Sequence, residues 1–342
     1  MTDKNQTLAE FATERNAAKR LFTAGPASLL AENLSGLRPC FGRGDADYAR
    51  VEEQVLGALK ALSGHRQIAR LQGSASLALE IMALNFLQGR VLTVSTGYYS
   101  DRLKWMAESA QRRTGAVREV VAVDWRELAG ATGRFDWVLA CYVETSCGLK
   151  IPIEDLDALA KRVGARLMLD ATASIGLEPG HERADAIAYS SCKGLFGLTG
   201  AAFVAYNEPP AVAVDSFYLK LDTHLQRLMT GPYHAICSLA DVLPAHADFR
   251  AAVAENKRVF CQRLAAHLTQ PAERQPQLCT HVDCEIASRD PRAVLYKPRS
   301  TLAGSVVCHL GEAHLGRAAR GAILDSLETP FAGAAVPPEV RR

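Results

Sequence analysis

From about residue 50 to 205, apolar positions switch repeatedly between a helical and a strand period. "YARVEEQVLGALKALSG", Tyr48 to Gly64, has helical spacing and stops on glycine. "QIARLQ" is a short strand, and "SASLALEIMALNFLQ" is a helix with an apolar face. The strand "RVLTVS" leads into "YSDRLKWMAESAQRRTG", a helix with a basic end. "REVVAV" and "WVLACYV" are strands, "IEDLDALAKRVG" a helix, and "ARLMLDA" another strand. "AIAYSS" and "AAFVAY" are two more strands, one on each side of Lys193. Such alternation predicts an α/β domain whose parallel or mostly parallel sheet carries helices on both faces.

After Pro232 the pattern changes. A helical stretch, 235–268, crosses Pro244, which should kink or break it. "LCTHVDCEIA" and "GSVVCHL" are strand candidates, and "HLGRAARGAILDSL" predicts a last helix before an Ala- and Pro-rich tail. The expected organisation is an N-terminal arm or helix at 1–20, a large domain at 21–234, and a smaller, truncated α+β domain at 235–342.

Composition sets limits without choosing a function. Of 342 residues, 48% are apolar and 22% charged, as in a globular protein with a sizeable core. Lys and Arg number 39 against 37 Asp and Glu, and a net charge of +2 gives no support for nucleic acid or an acidic membrane. The apolar runs are too short to span a bilayer, and the acid-bearing N-terminus is unlike a targeting peptide. Nine scattered cysteines form no C-x-x-C pair, so reduced thiols in a cytoplasm are expected, with no metal site.

Four polar points follow strands. Ser74, Ala75 and Ser76 open a helix, where free N–H groups and the helix dipole suit a phosphate; Ser74 could equally be an ordinary N-cap. Tyr98 and Tyr99 could stack on a planar ring or pack against their helix. Asp170 closes an apolar strand and could cap the next turn or hold a cationic ring nitrogen. Lys193 is either a loop lysine or a Schiff-base amine. Ligands of open parallel sheets sit beyond the C-terminal strand ends. Phosphate cradle, stacking aromatic, acid and lysine in that order are what pyridoxal 5'-phosphate requires.

On these residues the chain resembles the class V aminotransferases of fold type I, within them most nearly the 2-aminoethylphosphonate–pyruvate branch. The likeness covers about 20–240 and rests on "LFTAGPA", "LQGSASLALE", "VSTGYYSDR", "ETSCGLKIPIEDLDALAKRVGARLMLDATASIG" and "DAIAYSSCKGLFGLTGAAFV". It implies a large domain with a central sheet and a small C-terminal domain, a homodimer with shared sites, and small amine and keto-acid substrates. Lys193 would carry the Schiff base, Asp170 would face the ring nitrogen, and Tyr99 would stack. Ser74, Ala75, Ser76, and Ser190 or Ser191 would bind the phosphate, Thr145 the region of the phenolic oxygen, and Thr230 the partner subunit's cofactor. Two departures concern substrate. Cys147 stands where the family has Thr, and His309 stands where it has an acid-clamping Arg, whose fork a His cannot reproduce. The alternatives to transamination are a lyase, desulfurase-like or decarboxylating relative, or a non-catalytic descendant, which the joint presence of Asp170 and Lys193 argues against.

Overall fold

The computed structural model describes residues 6–313, 315, 321, 322 and 324–328. Seven strands form the main sheet: β1 (Gln67–Gln72), β2 (Gly89–Ser95), β3 (Val117–Asp124), β4 (Trp137–Cys141), β5 (Arg166–Asp170), β6 (Ala186–Ser190) and β7 (Ala201–Tyr206). Their spatial order is β1-β7-β6-β5-β4-β2-β3. The contacts among β2 to β6 are parallel, whereas β7 runs antiparallel to both β1 and β6. The reversal has a simple cause. A parallel return needs a crossover of about a dozen residues or more, and the stretch holding Lys193 between β6 and β7 is too short for one.

Strands β4, β6 and β7 are buried at every position, which is why they read as continuous apolar runs. Side chains alternate between two cores. Leu167 and Leu169 of β5 pack on one face with Leu156 and Leu159 of α3 (Ile153–Val163), while Met168 faces the other. That second face is covered by α1 (Ala75–Phe86) and α2 (Tyr98–Thr114), through Leu79, Met82, Leu103 and Met106. The sheet is therefore the middle of three layers, and its strand ends are the places where loops gather.

Helix Tyr233–Val242 gives way at Pro244 to a 3-10 turn, Leu243–Ala245, and resumes as His246–Arg263. Beyond it, Cys279–Val282 pairs antiparallel with Ser305–Cys308, and Arg20–Phe22 pairs in parallel with Ala293–Leu295. The expected last helix, 314–327, and the tail fall largely outside the described residues. Among the described residues, no helix is long and apolar enough to cross a membrane.

Candidate active site

The parallel strands bring their C-terminal ends to one edge of the sheet. Cys141, the last residue of β4, lies opposite Asp170, the last of β5, and Asp170 lies opposite Ala188 of β6. A small cavity opens there, lined by Tyr99, Arg102, Thr145, Asp170, Thr172 and Lys193, with Cys141, Val143 and Ala173 between them. Four expected site residues, Tyr99, Thr145, Asp170 and Lys193, thus meet around one space although they span nearly a hundred positions of sequence.

Asp170 is only 3% exposed. Its Oδ1 accepts the Thr172 N–H at 2.9 Å, so it caps the following turn as well as facing the cavity. Its Oδ2 lies 3.6 Å from Arg102 Nη2. The Arg102 guanidinium sits 4.9 Å from the centre of the Tyr99 ring, and its Nη1 donates to Ser76 Oγ at 3.0 Å. One side chain thus links the acid, the aromatic and the helix start. The spacing of Tyr99 and Arg102, three residues apart on a helix, puts both on one face. Arg102 was visible in "VSTGYYSDR", and that helical spacing was the signal for it.

Tyr99 is held from below by Glu144. Glu144 Oε2 accepts the Tyr99 N–H at 3.0 Å and the Ser100 N–H at 3.1 Å, while Oε1 accepts the Ser146 N–H at 3.2 Å. A carboxylate from a neighbouring loop thereby caps α2 where Gly97 offers no side-chain cap. Burial pushes the Glu144 pKa up, and these hydrogen bonds pull it back. Gly97, at φ 153°, leaves room for Glu144: a Cβ there would come within 2.9 Å of Ser146 Oγ and 3.1 Å of Glu144 Cγ. Gly25, at φ 126°, does the same for the lysine, since a Cβ would lie 2.9 Å from Lys193 Cγ.

The remaining expected residues divide. Ser74 is the N-cap of α1 but makes no capping hydrogen bond through its side chain, while Ala75 and Ser76 form the first turn. Ser190 ends β6 with its Oγ near Cys192 Sγ, whereas Ser191 is fully buried and donates to the Ala201 carbonyl at 3.1 Å. Thr230 is exposed between two helices. Cys147 borders a separate cavity with Thr96, Trp125, Arg126 and His281, and burial pushes its thiol up to about 12. His309 is not among the residues that line the Lys193 cavity. It is 3% exposed, with Nε2 2.9 Å from Thr280 Oγ1 and its ring against Phe260, and burial lowers its pKa to about 3. A neutral, enclosed imidazole cannot stand in for an arginine facing a substrate, and the reason lies in its orientation, which local sequence does not encode.

The donor set suits pyridoxal phosphate. Thr172 Oγ1, on the cavity wall, and Arg102 Nε are buried polar atoms without a protein partner. Such atoms carry a cost unless a ligand satisfies them.

No protein-family model matches the chain. Among curated proteins it is similar to 2-aminoethylphosphonate–pyruvate transaminases. That of Pseudomonas putida (strain W619) is 29% identical over 254 residues, 67% of this chain and 68% of the relative. That of Pseudomonas aeruginosa is 27% identical over 305 residues, 80% of this chain and 81% of the relative. Among solved structures, alanine–glyoxylate aminotransferase from Nostoc sp. superposes with TM-score 0.75 at 18% identity, covering 90% of this chain and 94% of that one. Pyridoxamine–pyruvate aminotransferase from Mesorhizobium loti gives 0.70 at 18% identity, with 86% and 87% covered. The fold is that of the fold-type I aminotransferases.

Proposed function

We propose that the chain is a pyridoxal-phosphate-dependent aminotransferase that moves an amino group from a small amine to a keto acid. The observation that carries this is the meeting of Lys193, Asp170, Tyr99 and Thr145 around one cavity at the C-terminal edge of the sheet. The similarity to transaminases that act on 2-aminoethylphosphonate and pyruvate points to an amine of that kind. When bound, the cofactor supplies an aldehyde that captures amines and a cationic ring that draws electrons from the substrate carbon.

The residues divide the work by chemistry. Lys193 Nζ would be the amine for the aldehyde, and afterwards the base that takes the proton from the substrate carbon and delivers it to the carbon that carried the aldehyde. Asp170 keeps the ring nitrogen protonated through a charge-assisted hydrogen bond. Tyr99 fixes the ring plane by stacking. The first N–H groups of α1, with Ser74, Ala75 and Ser76, hold the phosphate at the positive end of the helix. Thr145 bonds the phenolic oxygen side. Ser190 is the better phosphate donor of the serine pair, since the Ser191 hydroxyl is spent on a backbone carbonyl. Thr230, exposed in a single chain, serves the second site of a homodimer. All nine cysteines are free thiols, which supports a reducing, cytoplasmic setting.

A desulfurase needs an accessible thiolate. Burial raises the pKa of Cys147, Cys284 and Cys308, so these thiols do not favour that reading.

Half-reaction spectroscopy tests the proposal. 2-Aminoethylphosphonate should convert the bound cofactor to its amine form, and pyruvate should reverse the change. Borohydride should fix the cofactor to wild-type protein and not to Lys193→Ala. An amine that is consumed without a reversible spectral change would replace transamination with lyase chemistry.

A further inference from the structure

A segment beside two residues of the Lys193 cavity carries a cation that the roles above leave unused. Segment 296–300, "YKPRS", comes from the C-terminal part of the chain and lies against the edge that holds Tyr98, Tyr99 and Thr145. Ser300 Oγ donates to the Ser146 carbonyl at 3.4 Å, tying the segment to the loop that carries Thr145. Arg299 is exposed, and its guanidinium carbon is 5.7 Å from the centre of the Tyr98 ring. Its near neighbours are the phenols of Tyr98 and Tyr99 rather than a carboxylate. The Tyr296 hydroxyl is buried without a hydrogen-bond partner, beside Thr145 and Tyr99, both of which line the cavity.

The other candidates for an acid-binding group are taken. The terminal nitrogens of Arg102 face Asp170 and Ser76, which leaves only its Nε toward a ligand, and His309 is enclosed against Thr280 and Phe260. A buried phenol and an exposed guanidinium, each next to Tyr99, are donors suited to an anion. The phenol supplies one directed hydrogen bond and the guanidinium supplies charge with a fork of donors.

We propose that Arg299 and Tyr296 form the subsite for the acid group of the substrates, a carboxylate or a phosphonate, and so determine specificity for acidic amines and keto acids. This rests on the aminotransferase reading. The clamp is carried by the segment next to Tyr99 and Thr145 instead of by His309, the residue that follows strand Ser305–Cys308. An acid group held there keeps the amine end of a short substrate directed inward toward Lys193.

The test uses cofactor-loaded protein and the variants Arg299→Gln, Arg299→Lys, Tyr296→Phe and, as a neighbouring control, Lys297→Gln. Two amines of similar length are compared, 2-aminoethylphosphonate and propylamine, which lacks an acid group. Arg299→Gln should raise KM for the phosphonate amine about 10- to 100-fold, with kcat changed far less and propylamine unaffected. Arg299→Lys should fall between, because an ammonium lacks the fork, and Lys297→Gln should match wild type. Calorimetry with methylphosphonate and with acetate gives a readout apart from turnover and separates the two acid types. Binding of at least one should be lost in Arg299→Gln and weakened in Tyr296→Phe. Equal losses for both amines, unchanged anion binding, or an effect confined to Lys297→Gln would overturn the assignment. If wild-type protein transaminates no amine, the aminotransferase reading falls, while the calorimetric comparison still decides whether this edge binds an acid group.

Discussion

Asp170 is a carboxylate taken almost wholly out of water, with one backbone N–H and one rather distant guanidinium to compensate it. A buried charge with so few partners is costly, and a cationic ring would complete its shell. Asp170→Ala should therefore weaken cofactor binding about 10- to 100-fold, the range for losing a charge-assisted hydrogen bond. Asp170→Asn keeps the shape without the charge and should lose nearly as much. Titration of the stripped protein with cofactor, followed by absorbance, reads both. Unchanged affinity in the asparagine variant would mean that Asp170 acts only as the cap for Thr172. Arg102 has a different standing, because it touches Ser76, Tyr99 and Asp170 at once and so couples residues that lie far apart along the sequence.

At the scale of an element, the start of α2 depends on a side chain from outside it. Glu144 accepts from the backbone of Tyr99 and Ser100 and from Ser146, so a single carboxylate holds both the helix end and Tyr99. Glu144→Ala leaves those donors buried and unsatisfied, and should cost about 1–3 kcal/mol of stability. Urea denaturation measures the loss. Amide exchange should quicken at Tyr99 and Ser100 ahead of the rest of α2, and the visible circular dichroism of bound cofactor should weaken as Tyr99 loosens. Uniform exchange throughout α2 would show that the helix is held by its core face instead, through residues such as Leu103 and Met106.

Across the whole molecule, several histidines are buried neutral. Desolvation lowers the pKa of His65, His181, His246 and His309, the second to about 4 and the last to about 3. A lowered pKa means that the unfolded chain binds the proton more readily. Their contribution is therefore complete above the ordinary histidine value of 6.5 and is lost as pH falls through it toward 3–4. Glu144 and Glu312, raised by burial, act in the opposite sense, so a variant isolates the effect better than wild type alone. Between pH 6.5 and 5, His309→Gln should lessen the pH slope of unfolding free energy by about 1.1 kcal/mol per unit on average, approaching ~1.4 near pH 5. Denaturant titrations at each pH supply the measurement, and an unaltered slope would place water or a proton donor at His309.

What the sequence determined by itself was everything that depends on near neighbours. Hydrophobic periods mark all seven strands of the sheet and the break at Pro244. Polar residues stand at or just past the ends of β2, β5 and β6, and chain order suffices to gather Tyr99, Thr145, Asp170 and Lys193, because parallel strands present their ends to one side. Only the tertiary structure decided matters of long-range orientation. It turned His309 inward toward Thr280, gave Glu144 its three backbone donors, and brought Tyr296 and Arg299 to Tyr99 and Tyr98, about two hundred residues away in the chain. The physical reason is that periodicity specifies which face of an element is apolar. Which distant element covers that face, and at what register, follows from packing the whole core at once.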